Sequence, residues 1–487
     1  MENLFCDATI PVMKSIDRIS AKKIQVILFI LVALFLPTQY GLHLWPDFSL
    51  VAGKRIDYLS PTVFFTDILI GLLLSVSFVS WFFSYRKNRI LIRELLDRIF
   101  DLVNGNKLLV ALFISLAVGI IFSPRPILGI YSLFKLIELV LFALVSYRLF
   151  ESRAVRKYFI AVFSISMLIQ SVLAIWQVNS QASIGGIFYY LGERTFSSIT
   201  PGIANASLGG ALILRPYGTL PHPNVLGGYL LLGLILVCSE FFTIRISKNT
   251  GMTFPSALFS KIKKVYLFTV MVFSSITLLL SMSRSAIAVG AALVIFLLVR
   301  ELVFPSKQKV KESKTKTLNL KYFFYALFLL CIFLIVFSPI VSRFTSLSLS
   351  SEAFVERKDL AIASFQMFLD HPLFGVGLGS FLVMLPEYVS LHKAPLQPVH
   401  SIYLLVLAEL GIVGVIIVST FLGRIFMKTK ALVMSGDNIG LAIVVIMLLG
   451  FVDHYFLTLQ QGRMFLALVI ALIFSKGQDF RPKRSKI

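Results

Sequence analysis

Acidic residues are scarce in this chain: 24 of its 487 residues are Asp or Glu, and charged residues of both signs reach only 14%. So little charge excludes a soluble globular domain, whose surface needs far more. Cysteine is nearly absent too. Of three cysteines, Cys6 precedes the first apolar run, while Cys238 and Cys331 lie inside such runs, which excludes a disulfide framework and a zinc site. The outer segments carry no Asp-x-Asp or paired-acid motif that would hold Mg²⁺ or Mn²⁺. Their isolated acids Glu352, Glu356, Asp359, Asp370 and Glu387 read as helix-surface charges, and no metal is expected. Met1 to Lys23 is mostly polar and no small-residue cleavage site follows the first apolar run, so that run is expected to remain as an anchor.

What the chain has instead is hydrocarbon. Hydrophobic residues make up 57%, and the mean hydropathy is +0.88. Runs of about twenty apolar residues, long enough for a helix to cross a hydrocarbon core of about 30 Å, recur from Ile24 to Phe474. Twelve are expected, centred near Val32, Leu72, Ser115, Leu139, Ser166, Gly233, Phe273, Val294, Leu330, Val406, Val445 and Leu468. The fold class is an all-α polytopic membrane protein. Basic segments such as 86–107, 245–264 and 300–321 belong to a set that gathers 34 of the 46 Lys and Arg. The positive-inside rule puts these in the cytoplasm with both termini, and the net charge of +22 is read as topology and attraction to anionic lipid rather than nucleic-acid binding.

The polar residues that remain collect on the outer side. A long outer segment from Ser342 to His400 separates the ninth and tenth expected helices. Within it, residues 352–369 show a helical stripe that Asp370-His371-Pro372 stops, and Gly375, Gly377 and Gly379 follow at alternate positions. No strand precedes these glycines, so a dinucleotide fold is rejected and close backbone packing is expected. His400 stands at the mouth of the tenth helix, where an imidazole can exchange protons with a substrate at the bilayer surface. Glu409, Gly411 and Gly414 on that helix are expected to support the loop.

The earlier outer segment, from Gln177 to Pro223, ends in Arg215-Pro-Tyr-Gly-Thr-Leu-Pro-His222-Pro-Asn224. Its prolines exclude a regular helix before Pro223, Asn224 is the expected cap, and a broken start leaves N–H groups and a positive helix end near Arg215 for an anion. Phe188, Tyr189 and Tyr190 are interfacial aromatics or sugar-stacking rings. Arg284, at the near-loopless junction of the seventh and eighth helices, either meets an anion or snorkels to the headgroups. Lys135 and Glu138, three apart, form a structural pair or serve a substrate. Asp453, His454 and the turn 460–463 make a further outer polar cluster, either supporting the site or receiving an acceptor.

Under one topology, Arg215, His222, Arg284, Arg357, His371, His400 and His454 share one side of the membrane. Two guanidinium groups can neutralise a diphosphate, and a neutral imidazole can take a proton from a hydroxyl. Such a site suits transfer from a lipid diphosphate to an alcohol.

The ordered series Arg215-Pro-Tyr-Gly-Thr-Leu-Pro-His-Pro-Asn, Ser283-Arg284-Ser285, His371-Pro-Leu-Phe-Gly-Val-Gly-Leu-Gly and Val399-His400-Ser…Glu409-Leu-Gly-Ile-Val-Gly resembles the O-antigen ligase and polymerase superfamily. The resemblance implies a GT-C-type membrane glycosyltransferase of about 12 transmembrane helices, with a large periplasmic loop between helices 9 and 10. It also implies a metal-independent, inverting reaction in the bacterial inner membrane, with the site facing the periplasm. The donor would be a glycan on undecaprenyl diphosphate, with lipid A-core or another glycan as acceptor. His400 takes the place of the activating histidine and Arg215 and Arg284 those of the diphosphate-binding arginines, with Arg357 near the site. His222, Asn224, His371, Glu409, Asp453 and His454 stand as supporting or acceptor-site residues. The expected organisation is 1–214 as N-terminal helices 1–5 with the first long outer segment, 215–426 as ligase-like core with loop 342–400, and 427–487 as helices 11–12 with a basic tail. The ligase is favoured over a polymerase by the loop motif; a lipid-linked glycan transporter is the remaining alternative.

Overall fold

The computed structural model describes residues 6–86, 107–208, 211–244, 254–303, 352–390, 396–434 and 437–476. Eleven of the twelve expected centres fall inside helices, from Val32 in Cys6–Phe35 to Leu468 in Gln460–Lys476; Leu330 lies outside the described residues. Six of these helices are long and apolar enough to cross a membrane: Phe65–Phe83, Pro126–Phe150, Arg153–Ser180, Pro223–Thr243, Leu258–Leu280 and Ile402–Met434. Two shorter apolar helices are Val110–Ile121 and Asn438–Leu449. The protein is a helical membrane protein.

The helices are not the whole of it. Among the described residues, three antiparallel pairs of short strands lie between helices: Gly41–His43 with Thr62–Phe64, Leu50–Val51 with Lys54–Arg55, and Asn205–Leu208 with Ala211–Leu214. The all-α reading overlooked them because strands of two to four residues carry too few positions to show a period of two.

The chain divides into two compact units, Met1–Ser166 with Glu356–Ile487, and Met167–Val355. The first unit has an aromatic core. Phe29 meets Phe150 at 5.1 Å and Phe159 at 5.8 Å, Phe159 stacks on Phe163 at 5.6 Å, and Phe163 reaches Phe465 at 5.3 Å. Each ring buries a large apolar area, and offset or edge contacts add to that burial. Lys135, buried, pairs with Glu138 at 2.9 Å and also with Asp67 at 2.7 Å, so the structural reading of that pair holds with a third member the spacing did not show.

The helix Ile402–Met434 breaks at Gly411, where φ is 60°. A break inside a membrane helix frees backbone groups that need new partners. The segment after His371 supplies them: Val376 N donates to Ala408 O (2.9 Å), Gly377 N to Glu409 O (3.1 Å), and Ile412 N to Pro372 O (2.9 Å). Gly375 and Gly411 both take positive φ and meet backbone to backbone, and a Cβ on Gly375 would run into the Ala408 carbonyl. The glycines are therefore packing residues, as expected. The Glu409 side chain is tied into the same join, accepting from Phe381 N at 3.2 Å.

In the second unit, two buried glutamines hold the irregular segment before Pro223. Gln177 Oε1 accepts from Tyr217 N (2.9 Å) and Gly218 N (2.8 Å), and Gln170 Oε1 accepts from Thr219 N (2.8 Å). Tyr217, Phe196 and Leu214 form a small core beneath it. Helix Pro223–Thr243 packs along Phe254–Leu280 and, at Gly227, directly on Ser283 and Ala286.

Candidate functional site

The predicted site residues fall into two groups, one in each unit. In the second unit, Arg215 is buried and its guanidinium is aimed by two hydrogen bonds: Nε donates to Ser281 O (2.9 Å) and Nη2 to Asn224 Oδ1 (2.7 Å). Ser281 belongs to the tight turn that starts the helix Arg284–Val303, with Met282 at a φ of 49°. Arg215 is thereby bonded to the turn that carries Arg284, although the two are 69 positions apart.

One expectation about this corner is corrected. The cap of helix Pro223–Thr243 is His222, not Asn224: His222 Nδ1 accepts from Asn224 N at 3.0 Å, and His222 O accepts from Val225 N and Leu226 N. Asn224 is instead the acceptor for Arg215. The first-turn N–H groups are engaged, so positive charge here comes from guanidinium and helix dipole rather than open donors. The physical reason is that Pro223 occupies the first helical position, which leaves the preceding residue to cap.

In the first unit, His400 is brought to Asp453 and His454. The start of helix Ile402–Met434 docks on the end of Leu441–Leu449 through Ile402 N donating to Gly450 O (2.8 Å), and a Cβ on Gly450 would run into the Ile402 side chain. That contact fixes the approach of the two loops. His400 Nδ1 lies 4.0 Å from Asp453 Oδ1 and is buried with no hydrogen bond within the protein. The His400 and His454 rings are 5.3 Å apart. His454 is itself held by its N–H donating to Asp453 Oδ1 (2.9 Å) and by Nδ1 at 2.6 Å from Thr458 Oγ1.

Burial pushes the His400 imidazole down to about 4; Asp453 opposes this, while Arg357 and His454 push it further. His454 is lowered by the same burial, with Asp453 again opposing and Arg357 adding to the effect. Both shifts favour the neutral imidazole. Arg357 is exposed on helix Glu352–Asp370, which Ser364 Oγ ties to Leu404 O at 2.9 Å, and its charge reaches both imidazoles. His371 is exposed at the end of that helix, where its carbonyl accepts from Gly375 N at 3.0 Å; it serves the turn.

His400, Asp453 and His454 offer one donor atom each within 4.8 Å of one another, a set that could hold a metal ion and that the sequence reading did not assemble. The nearby Arg357 charge works against a bound cation. Residues 460–463 are the first turn of helix Gln460–Lys476 rather than a loop, because Leu459 is the last extended residue before it. Thr458 and Tyr58, whose ring stands nearly perpendicular to that of His454 at 5.5 Å, carry no signal among the sequence motifs. The i, i+4 spacing of His454 and Thr458 was the available signal for the first; Tyr58 is nearly four hundred residues away and had none.

Residues 269–419 match the O-antigen ligase family, a stretch that contains Arg284, Arg357, His371, His400 and Glu409. The match bears out the resemblance to the O-antigen ligase and polymerase superfamily. No curated protein matches the chain.

Proposed function

We propose that this membrane protein, a glycosyltransferase of the O-antigen ligase and polymerase kind, is a ligase. It moves a glycan from undecaprenyl diphosphate to a hydroxyl of lipid A-core. The observation that carries the chemistry is His400: a half-buried imidazole, its Nδ1 out of solvent and the ring held neutral, with Asp453 4.0 Å from that Nδ1. A neutral imidazole is a base at physiological pH, and a carboxylate beside it stabilises the imidazolium that forms.

In this reading His400 takes the proton of the acceptor hydroxyl as that oxygen forms its bond to the anomeric carbon. The bond from that carbon to the diphosphate oxygen breaks on the opposite face, its electron pair leaves with the diphosphate, and a single displacement inverts the centre. Arg215 and Arg284 meet the charge growing on the leaving diphosphate, with Arg357 a further positive group. Guanidinium charge does here what a divalent cation does in metal-dependent transferases, so the reaction is proposed to need no metal. The protein would lie in the bacterial inner membrane with both termini cytoplasmic and the site facing the periplasm.

The test is transfer in liposomes with EDTA present, offering an undecaprenyl diphosphate-linked glycan together with lipid A-core or with a second lipid-linked glycan. Glycan on lipid A-core supports the ligase; growth of the chain on the lipid carrier makes the protein a polymerase; movement of the lipid across the membrane without transfer makes it a transporter. Transfer that stops with EDTA and returns with a divalent cation would sink the metal-free mechanism.

A further inference from the structure

The outer segment between the first two helices is built around a tyrosine that neither the motif series nor the family match includes. Ile56 and Leu59, both buried, plug into the apolar cluster that also holds Val399, the residue before His400. The turn between them is closed by Leu59 N donating to Ile56 O (3.0 Å) and Ser60 N to Ile56 O (3.2 Å). Arg125 Nη1 pins the same segment, donating to Phe48 O (2.9 Å) and Leu50 O (2.7 Å). Between these anchors Tyr58 keeps 38% of its surface exposed. Its ring stands nearly perpendicular to that of His454, centroids 5.5 Å apart, and the His454 ring is 5.3 Å from that of His400.

A tyrosine at the headgroup level ordinarily needs no explanation beyond the membrane interface. Tyr58 differs because it abuts His454, which is only 4% exposed and belongs to the cluster around the proposed base. An exposed ring on a tightly bonded turn loses little freedom when a ligand covers it, and its apolar face suits the C–H face of a sugar ring.

We infer that Tyr58 is a stacking platform for the sugar ring that lies beside His400 during transfer. This rests on the glycosyl-transfer reading above. The chemistry recognised is a pyranose face, which either the acceptor or the first sugar of the donor can present.

The experiment compares wild type, Tyr58→Leu and Tyr58→Trp in liposomes, varying lipid A-core at saturating lipid-linked glycan and then the reverse. Tyr58→Leu should raise one KM about tenfold while kcat stays close to wild type, and Tyr58→Trp, which keeps an aromatic face, should restore it. A rise confined to the acceptor KM assigns the ring to the acceptor, and one confined to the donor KM assigns it to the donor. Unchanged KM values in Tyr58→Leu, or a loss in kcat alone, would overturn the inference, the latter because Tyr58 would then act by holding His454. Nitration of Tyr58 in the wild-type protein, read by mass spectrometry, decides the matter without a variant. Lipid A-core or lipid-linked glycan should protect the ring, and undecaprenyl phosphate alone should not; absence of glycan protection overturns the platform. A wild-type protein that transfers nothing would sink the transfer reading, and the nitration result would still report whether Tyr58 holds a sugar.

Discussion

His400 and Asp453, separated by 53 positions in the chain, face each other with Nδ1 and Oδ1 4.0 Å apart, too long for a hydrogen bond and close enough for the carboxylate to act on the ring's charge. Closure by about one ångström when substrate excludes water would make the hydrogen bond, as catalytic contacts often tighten in the complex.

The pH dependence follows from burial. His400 titrates near 4 instead of its ordinary 6.5, so between those values the unfolded chain binds a proton that the folded chain does not. Stability from this group is fully present above 6.5 and is lost as pH falls toward 4. The base form also persists, so kcat/KM should hold level down to about pH 5 and fall only below it. An acidic limb centred at the ordinary histidine value would remove His400 as the base; the pH profile of kcat/KM in liposomes reads this directly.

Arg284 separates anion binding from snorkelling. Arg284→Ala is expected to lower kcat/KM for the lipid-linked donor by about 10²-fold, with the acceptor KM little changed, since the lost charge meets the leaving diphosphate. Donor kinetics equal to wild type would restore the headgroup explanation.

His222 is expected to act on stability. Removing its cap by His222→Ala should cost about 1 kcal/mol, and His222→Asn, which can accept from the same N–H, should recover most of it. Thermal unfolding in detergent measures both. Lost transfer with unchanged unfolding would return His222 to the substrate side.

Gly375 is bound by its φ of 67° and by the carbonyl of Ala408. Gly375→Ala should destabilise by about 3 kcal/mol, combining the left-handed backbone cost with overpacking against main chain. A melting temperature within error of wild type would mean that the loop joins helix Ile402–Met434 less tightly than the hydrogen bonds at Val376 and Gly377 imply.

How much of this was readable beforehand varies with range. Apolar runs near Val32, Leu139 or Gly233 specify helices because a membrane span must satisfy its backbone within itself, and that requirement is local. The stop at Asp370-His371-Pro372 and the helix start after His400 were legible for the same reason. The strand pair Asn205–Leu208 and Ala211–Leu214 was missed even though Gly209-Gly210 between them is a hairpin signal. The cap at His222 was assigned two residues late, because the preference of asparagine for caps competed with a proline that decides the first helical position.

By itself, the sequence determined that this is a membrane protein of many helices, that its polar chemistry gathers in a few motifs, and that those motifs resemble a glycosyltransferase superfamily. Hydropathy and short spacings carry such information because hydrogen bonding within a helix and the placement of charge near a bilayer act over a few residues. Only the tertiary structure decided that Asp453 and His454 face His400, that Arg215 bonds the turn carrying Arg284, and that Tyr58 stands against His454. Each of those joins residues dozens to hundreds of positions apart, and packing between helices, for which no local signal exists, is what brings them together.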